Sequence, residues 1–242
     1  SLMRLAPHLV HPLPCVVPTY GFGLRGRHSM RMALLLNDMI AWDRNFGLDN
    51  GASLPRGKLL NISGCQNTVP GSSDLGFQGA ALWYDALAIN TERMTLEVLK
   101  KAAWHGACLA NHVKAQELLI QKNKVCGLAA LDIISRAEFH LQAHIVINAA
   151  GPWLETLMPK SSWATHQLSW SKGINLVTPK RLASDVAFGL EGQSSHSDDN
   201  SLMKRGKRFF FFVPWQGHTM IGTSYRKHEG GPDDMDTSRE EI

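Results

Sequence analysis

Four stretches of this 242-residue chain carry residues whose types and spacing suit chemistry. Gly21-Phe-Gly-Leu-Arg-Gly26 has the spacing of a dinucleotide loop, in which glycines let the backbone approach a pyrophosphate. Ser169-Trp-Ser-Lys172 has the spacing in which a lysine amine takes the proton of a serine nucleophile. His140 and His144 stand four apart, a spacing at which two imidazoles can share a metal on a helix. In the fourth, Ile145-Val-Ile147 runs into Asn148-Ala-Ala-Gly-Pro-Trp153, which reads as a buried parallel strand breaking into a small-residue turn. Pro152 suits the first position of a helix there, whose unpaired N–H groups would face whatever lies over the turn.

Local context separates these candidates. Pro14 and Pro18 interrupt Cys15-Val-Val17 ahead of the glycine loop, and no strand ending in an acid follows the next helix. The dinucleotide match therefore reads as coincidence. Ser169 and Lys172 fall on a strand predicted over 168–178, where they point to opposite faces. A strand sets His140 and His144 about 13 Å apart at ~3.3 Å per residue, too far to share a metal, and no metal site is expected. The turn at 148–153 keeps two readings, a cofactor cradle and a plain strand-turn-helix junction.

The elements that must position these residues are mixed. A helix is predicted over His28–Phe46, with Ser29 as its cap and Ala33, Leu36, Met39 and Ile40 on one face. Residues 47–79 read mainly as loops, Ala80–Tyr84 as a short strand, and Thr91–His105 as a second helix begun by Thr91 and ended before Gly106. Leu118–Gln121 and Val125–Ile133 flank Lys122-Asn-Lys124 as a hairpin. Glu138–Leu141, Ile145–Ile147, Ile174–Val177 and Phe209–Val213 follow as strands, and Gln216-Gly217 makes a tight turn into Thr219–Gly222. Residues 191–201 read as an exposed loop. The fold class is mixed, α+β or α/β.

Composition sets outer bounds. With 44% hydrophobic and 19% charged residues the chain reads as a soluble globular protein, one large domain or two small ones. A net charge of +4 with scattered basic residues argues against a nucleic-acid groove. The densest basic cluster, Arg25, Arg27 and Arg31, suits a solvated surface, an anionic membrane face or a phosphate. Cys15, Cys65, Cys108 and Cys126 lack metal or redox spacing and read as reduced thiols of a cytoplasmic protein. The absence of a long apolar run or signal segment points to a protein that is at most peripheral to the membrane. Both ends read as cut helices, so the chain is expected to be a central fragment.

The order of segments is more specific than any one motif. Leu5-Ala-Pro-His-Leu9, the helix with Arg31 and Asp38, Gly79 to Asp85, Thr91-Glu-Arg93, the turn at 148–153, Ser171-Lys-Gly173, Val213-Pro-Trp215 and Ile221-Gly-Thr223 follow one another in a set sequence. That series resembles the FAD-dependent glycerol-3-phosphate dehydrogenases and related oxidases, within the D-amino-acid-oxidase-like flavoproteins. The resemblance implies an FAD-dependent oxidoreductase acting on a hydroxyl-bearing small molecule such as a polyol phosphate. A quinone acceptor and peripheral contact with the inner membrane face come with it. It also implies a cap part of the substrate domain over 1–90, part of the FAD-binding domain over 91–160 and a β-rich substrate domain over 161–242.

Carried over by position, Val113, Ala149, Ala150, Gly151 and Pro152 are the cofactor-binding candidates, with Trp153 beside them and Arg93 as a structural helix-start arginine. Lys172 and Asn175 are the substrate-binding candidates. Asn175 stands where the family often has a histidine that takes the substrate proton, and Tyr225 stands where it has an acid. An amide orients a hydroxyl but is no base near neutral pH, which leaves the catalytic residue unassigned. The alternatives are an amine- or amino-acid-oxidising flavoprotein and a non-catalytic binding module. The chain by itself is expected neither to hold FAD tightly nor to turn over.

Overall fold

Val10–Pro18 forms a nine-residue strand, β1, although Pro12, Pro14 and Pro18 lie within it. The computed structural model, which describes residues 2–48, 50–69, 77–157, 170–182, 185–195, 207–228 and 230–238, shows why. Side chains are described for these residues except at 50, 193–195, 207–208 and 223–226. At the two ends of β1, Thr19 N–H donates to Gly79 O and Ile89 N–H to Leu9 O, so odd-numbered positions face the antiparallel partner β3 (Ala80–Ala88). All three prolines are even-numbered, and their missing donors point the other way. On that side β8 (Ala187–Ser195) runs parallel and is matched to β1 at Cys15 and Val16. The prolines therefore leave the β1–β3 ladder whole, which corrects the expectation that they break the strand.

The chain divides into two compact units, Ser1–Ala102 with Ile174–Ser224 and Ala103–Gly173 with Tyr225–Ile242. The first is built on a seven-stranded mixed sheet. Besides β1, β3 and β8 it uses β2 (Lys58–Leu60), β7 (Trp170–Thr178), β9 (Lys207–Trp215) and β10 (His218–His228) in the order β2-β3-β1-β8-β9-β10-β7. The β7 strand starts in the second unit and β10 ends in it. Helices α1 (Leu2–Leu5), α2 (Arg27–Ile40) and α3 (Ile62–Thr68) belong to the first unit, as does most of α4 (Thr91–Trp104).

One core cluster joins Val16, Cys65, Val69, Ala80, Leu82 and Phe188, and the Phe188 ring stacks on Phe212 at 4.7 Å. Burial of a side chain such as Val16 stabilises by about 1.5–3 kcal/mol relative to leaving it in water.

The second unit carries a three-stranded antiparallel sheet of β4 (Val113–Gln121), β5 (Lys124–Asp132) and β6 (Glu138–Gln142). The predicted hairpin is present: Gln121 pairs with Lys124, and Lys122 and Asn123 both have positive φ, the type I′ geometry that matches strand twist. Gln216 and Gly217 repeat that geometry between β9 and β10.

Three local expectations are corrected. The helix predicted over 28–46 is α2, ending at Ile40, and Ser29 does not cap it but donates to Gly23 O at 2.7 Å. Asn90 rather than Thr91 caps α4, accepting from Arg93 N–H at 2.8 Å. Residues 191–195, predicted as loop, continue β8, and the rest of that stretch lies outside the described residues.

The glycine loop does follow a strand, contrary to the sequence reading, because β1 leads through it into α2. It still makes no βαβ unit of neighbouring parallel strands, since β3 lies between β1 and β2 and is antiparallel to both.

Candidate functional site

The turn at 148–153 is tied together by its first residue. Asn148 Oδ1 accepts from Ala150 N–H at 3.2 Å, and its Nδ2 donates to Leu154 O at 3.0 Å. This side-chain turn leads into a 3-10 helix over Gly151–Leu157, with Trp153 N–H donating to Ala150 O at 3.1 Å. Gly151 has φ +57, and a Cβ added there would meet nothing within 4 Å. Its N–H has no hydrogen-bond partner among the described residues. The turn therefore offers a methyl-lined, open backbone surface with a donor to spare.

The apolar run before the turn departs from expectation. Ile145–Ile147 is not a buried strand: the ladder ends with Ala143 N–H on Cys126 O, and Ile145 and Ile147 are 79% and 84% exposed. A strand needs neighbours for its N–H and C=O groups, and among the described residues none flanks this run. The helix at the turn begins at Gly151 rather than Pro152 and is of the tighter 3-10 kind.

Further contacts gather in the second unit. β4, which begins at Val113, lies against the 3-10 helix. The Trp153 indole Nε1 donates to Asp233 Oδ1 at 3.0 Å, and Lys172 Nζ donates to Asp236 O at 2.5 Å. One segment, Gly230 to Asp236, thus holds both Trp153 and Lys172. Trp153 is 44% exposed and is not a core aromatic.

The structure brings Val113, Ala149, Ala150, Gly151, Pro152 and Lys172 into one unit and places Asn175 in the other. Asn175 is exposed on β7, and its Oδ1 occupies the space that a Cβ at Gly222 of β10 would need. Arg93 is exposed in the first turn of α4. His140 and His144 are both exposed, and no cluster of metal-binding side chains occurs among the described residues. Ser169 and the side chain of Tyr225 lie outside the described residues. The sequence reading missed the roles of Asn148 and Asp233. An Asn two residues ahead of an amide in a small-residue turn was a usable signal for the first.

The profile of the family described as FAD dependent oxidoreductase matches residues 6–242. The chain belongs to the FAD-dependent oxidoreductase family. Within it, a glycerol-3-phosphate dehydrogenase of Mycobacterium leprae is 29% identical over 226 residues, covering 93% of this chain and 35% of the relative. An alpha-glycerophosphate oxidase of Streptococcus pyogenes is 26% identical over 246 residues, covering 100% of this chain and 37% of the relative. The solved glycerol-3-phosphate dehydrogenase of Bacillus halodurans, complexed with FAD, superposes with a TM-score of 0.65 at 23% identity, over 95% of this chain and 37% of that one. That likeness shows the fold, and it agrees with the mixed α/β class expected from the sequence. The chain spans little more than a third of the length of these relatives.

Proposed function

We propose that this chain is the central part of an FAD-dependent oxidoreductase that oxidises a hydroxyl-bearing small molecule of the polyol phosphate class. The observation that carries the reading is the turn at 148–153, where small side chains, an open Gly151 and its N–H, unpartnered among the described residues, fit the adenosine and pyrophosphate of FAD. Ala149, Ala150, Gly151 and Pro152 would hold that part of the cofactor, with Val113 contributing backbone contact. Bound FAD supplies a hydride acceptor.

Asn175 then orients the substrate hydroxyl, its carboxamide donating and accepting hydrogen bonds without taking the proton. Lys172 supplies positive charge for the substrate's anionic group. The cap over 1–90 and the β-rich part over 161–242 form the substrate domain, and 91–160 belongs to the FAD domain. The grouping of Ser1–Ala102 with Ile174–Ser224 on one sheet supports the first assignment. A quinone as electron acceptor and a cytoplasmic location peripheral to the membrane complete the proposal. The exposed apolar face of α2 supports the peripheral location.

A second reading, a binding module without catalysis, draws on the amide at Asn175 in place of a base. The test compares flavin retention by the full-length protein and its Gly151→Val variant. A β-branched residue at φ +57 is strained, so the variant should lose flavin about tenfold more readily while keeping its far-UV circular dichroism. Equal retention would remove the turn from the cofactor site.

A further inference from the structure

One acidic segment of the second unit reaches two residues of the candidate site at once. Gly230-Gly-Pro-Asp-Asp-Met-Asp236 carries three carboxylates and no basic residue. Asp233 Oδ1 accepts from the Trp153 indole beside the cofactor turn at 3.0 Å, and the Asp236 carbonyl accepts from Lys172 Nζ at 2.5 Å. His228 Nε2 donates to Gly231 O at 3.0 Å, and Asp234 N–H closes a turn on the same oxygen at 3.0 Å. Trp153, Lys172, His228 and the segment all belong to the one unit.

These contacts hold the segment lightly. None of its residues is buried: Gly230 and Pro232 are half-buried, and the other five are exposed, Met235 at 59% among them. Its hold therefore rests on water-accessible hydrogen bonds, each of small net strength, and a segment held in that way opens more easily than a packed strand. The Gly230-Gly231 pair at its start gives the backbone freedom to swing.

We propose that Gly230–Asp236 is a strap that occupies the anion subsite at Lys172 until a phosphorylated substrate displaces it. The inference rests on the role given to Lys172 above and adds the regulation of that site. In the closed state the Asp236 carbonyl stands on the ammonium group where a phosphate oxygen would, both being acceptors. Strap and anion then compete, because a phosphate beside a segment of three carboxylates meets like-charge repulsion. A neutral polyol lacks the charge that draws the lysine away. A substrate that binds only the open state has its apparent affinity reduced by the open fraction, so the bonds that close the strap set the concentration at which Lys172 responds. The Trp153–Asp233 bond is one of them, and its release carries the arrival of the anion to the cofactor turn.

The test is hydrogen exchange of the 230–236 amides in the full-length protein, without ligand and with glycerol 3-phosphate, inorganic phosphate or glycerol. Either phosphate should speed exchange and glycerol should leave it unchanged. The half-effect concentration of phosphate should fall about threefold to tenfold in Asp233→Ala, the net contribution of one hydrogen bond. Asp233→Asn, which loses the charge but keeps the acceptor, should shift it less. Asp233 is exposed, and unchanged circular dichroism verifies the fold of each variant. Slowed or unchanged exchange with both phosphates, equal opening by glycerol, a higher half-effect concentration in Asp233→Ala, or equal effects of the two variants overturns the proposal. Flavin bleached by glycerol 3-phosphate while strap exchange stays constant removes the strap and leaves the oxidoreductase reading. Phosphate-driven opening in a protein whose flavin no substrate bleaches keeps the strap and removes that reading.

Discussion

Trp153 and Asp233 are eighty positions apart, and the indole Nε1 of the first donates to Oδ1 of the second at 3.0 Å. This bond ties the Gly230–Asp236 segment to the turn that carries the cofactor candidates. Asp233→Ala should cost about 0.5–1.5 kcal/mol, the net value of one solvent-accessible hydrogen bond. Hydrogen exchange should rise at Asp234, whose N–H donates to Gly231 O at 3.0 Å. Unchanged exchange there would mean that the bond does not order the segment.

Gly222 and Asn175 are coupled by space. A Cβ at 222 would run into the Asn175 carboxamide, the far end of an exposed side chain that can turn aside, so Gly222→Ala alone should displace the Asn175 rotamer and destabilise by about 1 kcal/mol at most. Pairing it with Asn175→Ala should recover most of that loss, because the double variant removes the obstacle. Denaturant melts of the four proteins in the cycle measure the coupling, and simple additivity would count against it.

The thiols should differ in reactivity. Burial, reinforced by the Asp85 carboxylate, pushes the Cys15 thiol up to about 12, while Cys108 is exposed. Thiolate is the reactive form, so at pH 8 a maleimide should label Cys108 quickly and leave Cys15 and Cys65 unmodified until denaturant is added. Peptide mass spectrometry reads the order. Early labelling of Cys15 would contradict its burial.

What was legible in the sequence was local. The hairpins at Lys122-Asn123 and Gln216-Gly217 were readable because short turns with positive φ demand particular residues, and that chemistry sits within two positions. β1 was misread because proline's effect depends on which neighbour its missing N–H faces, a matter of sheet order. Ile145–Ile147 and the α2 stripe were apolar as read, but burial depends on what lies alongside, and sequence pattern cannot supply it. Within the candidate site, Ala149 to Pro152 were visible as a small-residue turn. Its clasp by Asn148 and the distant Asp233 was not read.

Asp132 provides a pH test of the turn joining β5 to β6. Its carboxylate accepts from Ile134 N–H at 2.9 Å and Ser135 N–H at 3.3 Å. The Ser135 side chain and then these amides hold its pKa below the ordinary aspartate value. A lowered folded value means that the stabilisation is complete above the unfolded value of about 3.9 and is lost as pH falls through the folded one. The Ile134 and Ser135 amide resonances should titrate with a midpoint below about 3.9, and Asp132→Asn should abolish that titration. A midpoint at or above the ordinary value would contradict the turn geometry.

The central claim, oxidation of a hydroxyl-bearing substrate by bound flavin, is tested most directly by anaerobic spectroscopy of the full-length protein. Addition of glycerol 3-phosphate or a related polyol phosphate should bleach the flavin absorbance, with Asn175→Ala bleaching more slowly. Protein that carries no flavin, or flavin that no polyol phosphate, hydroxy acid or amine bleaches, would contradict the account and leave the binding module.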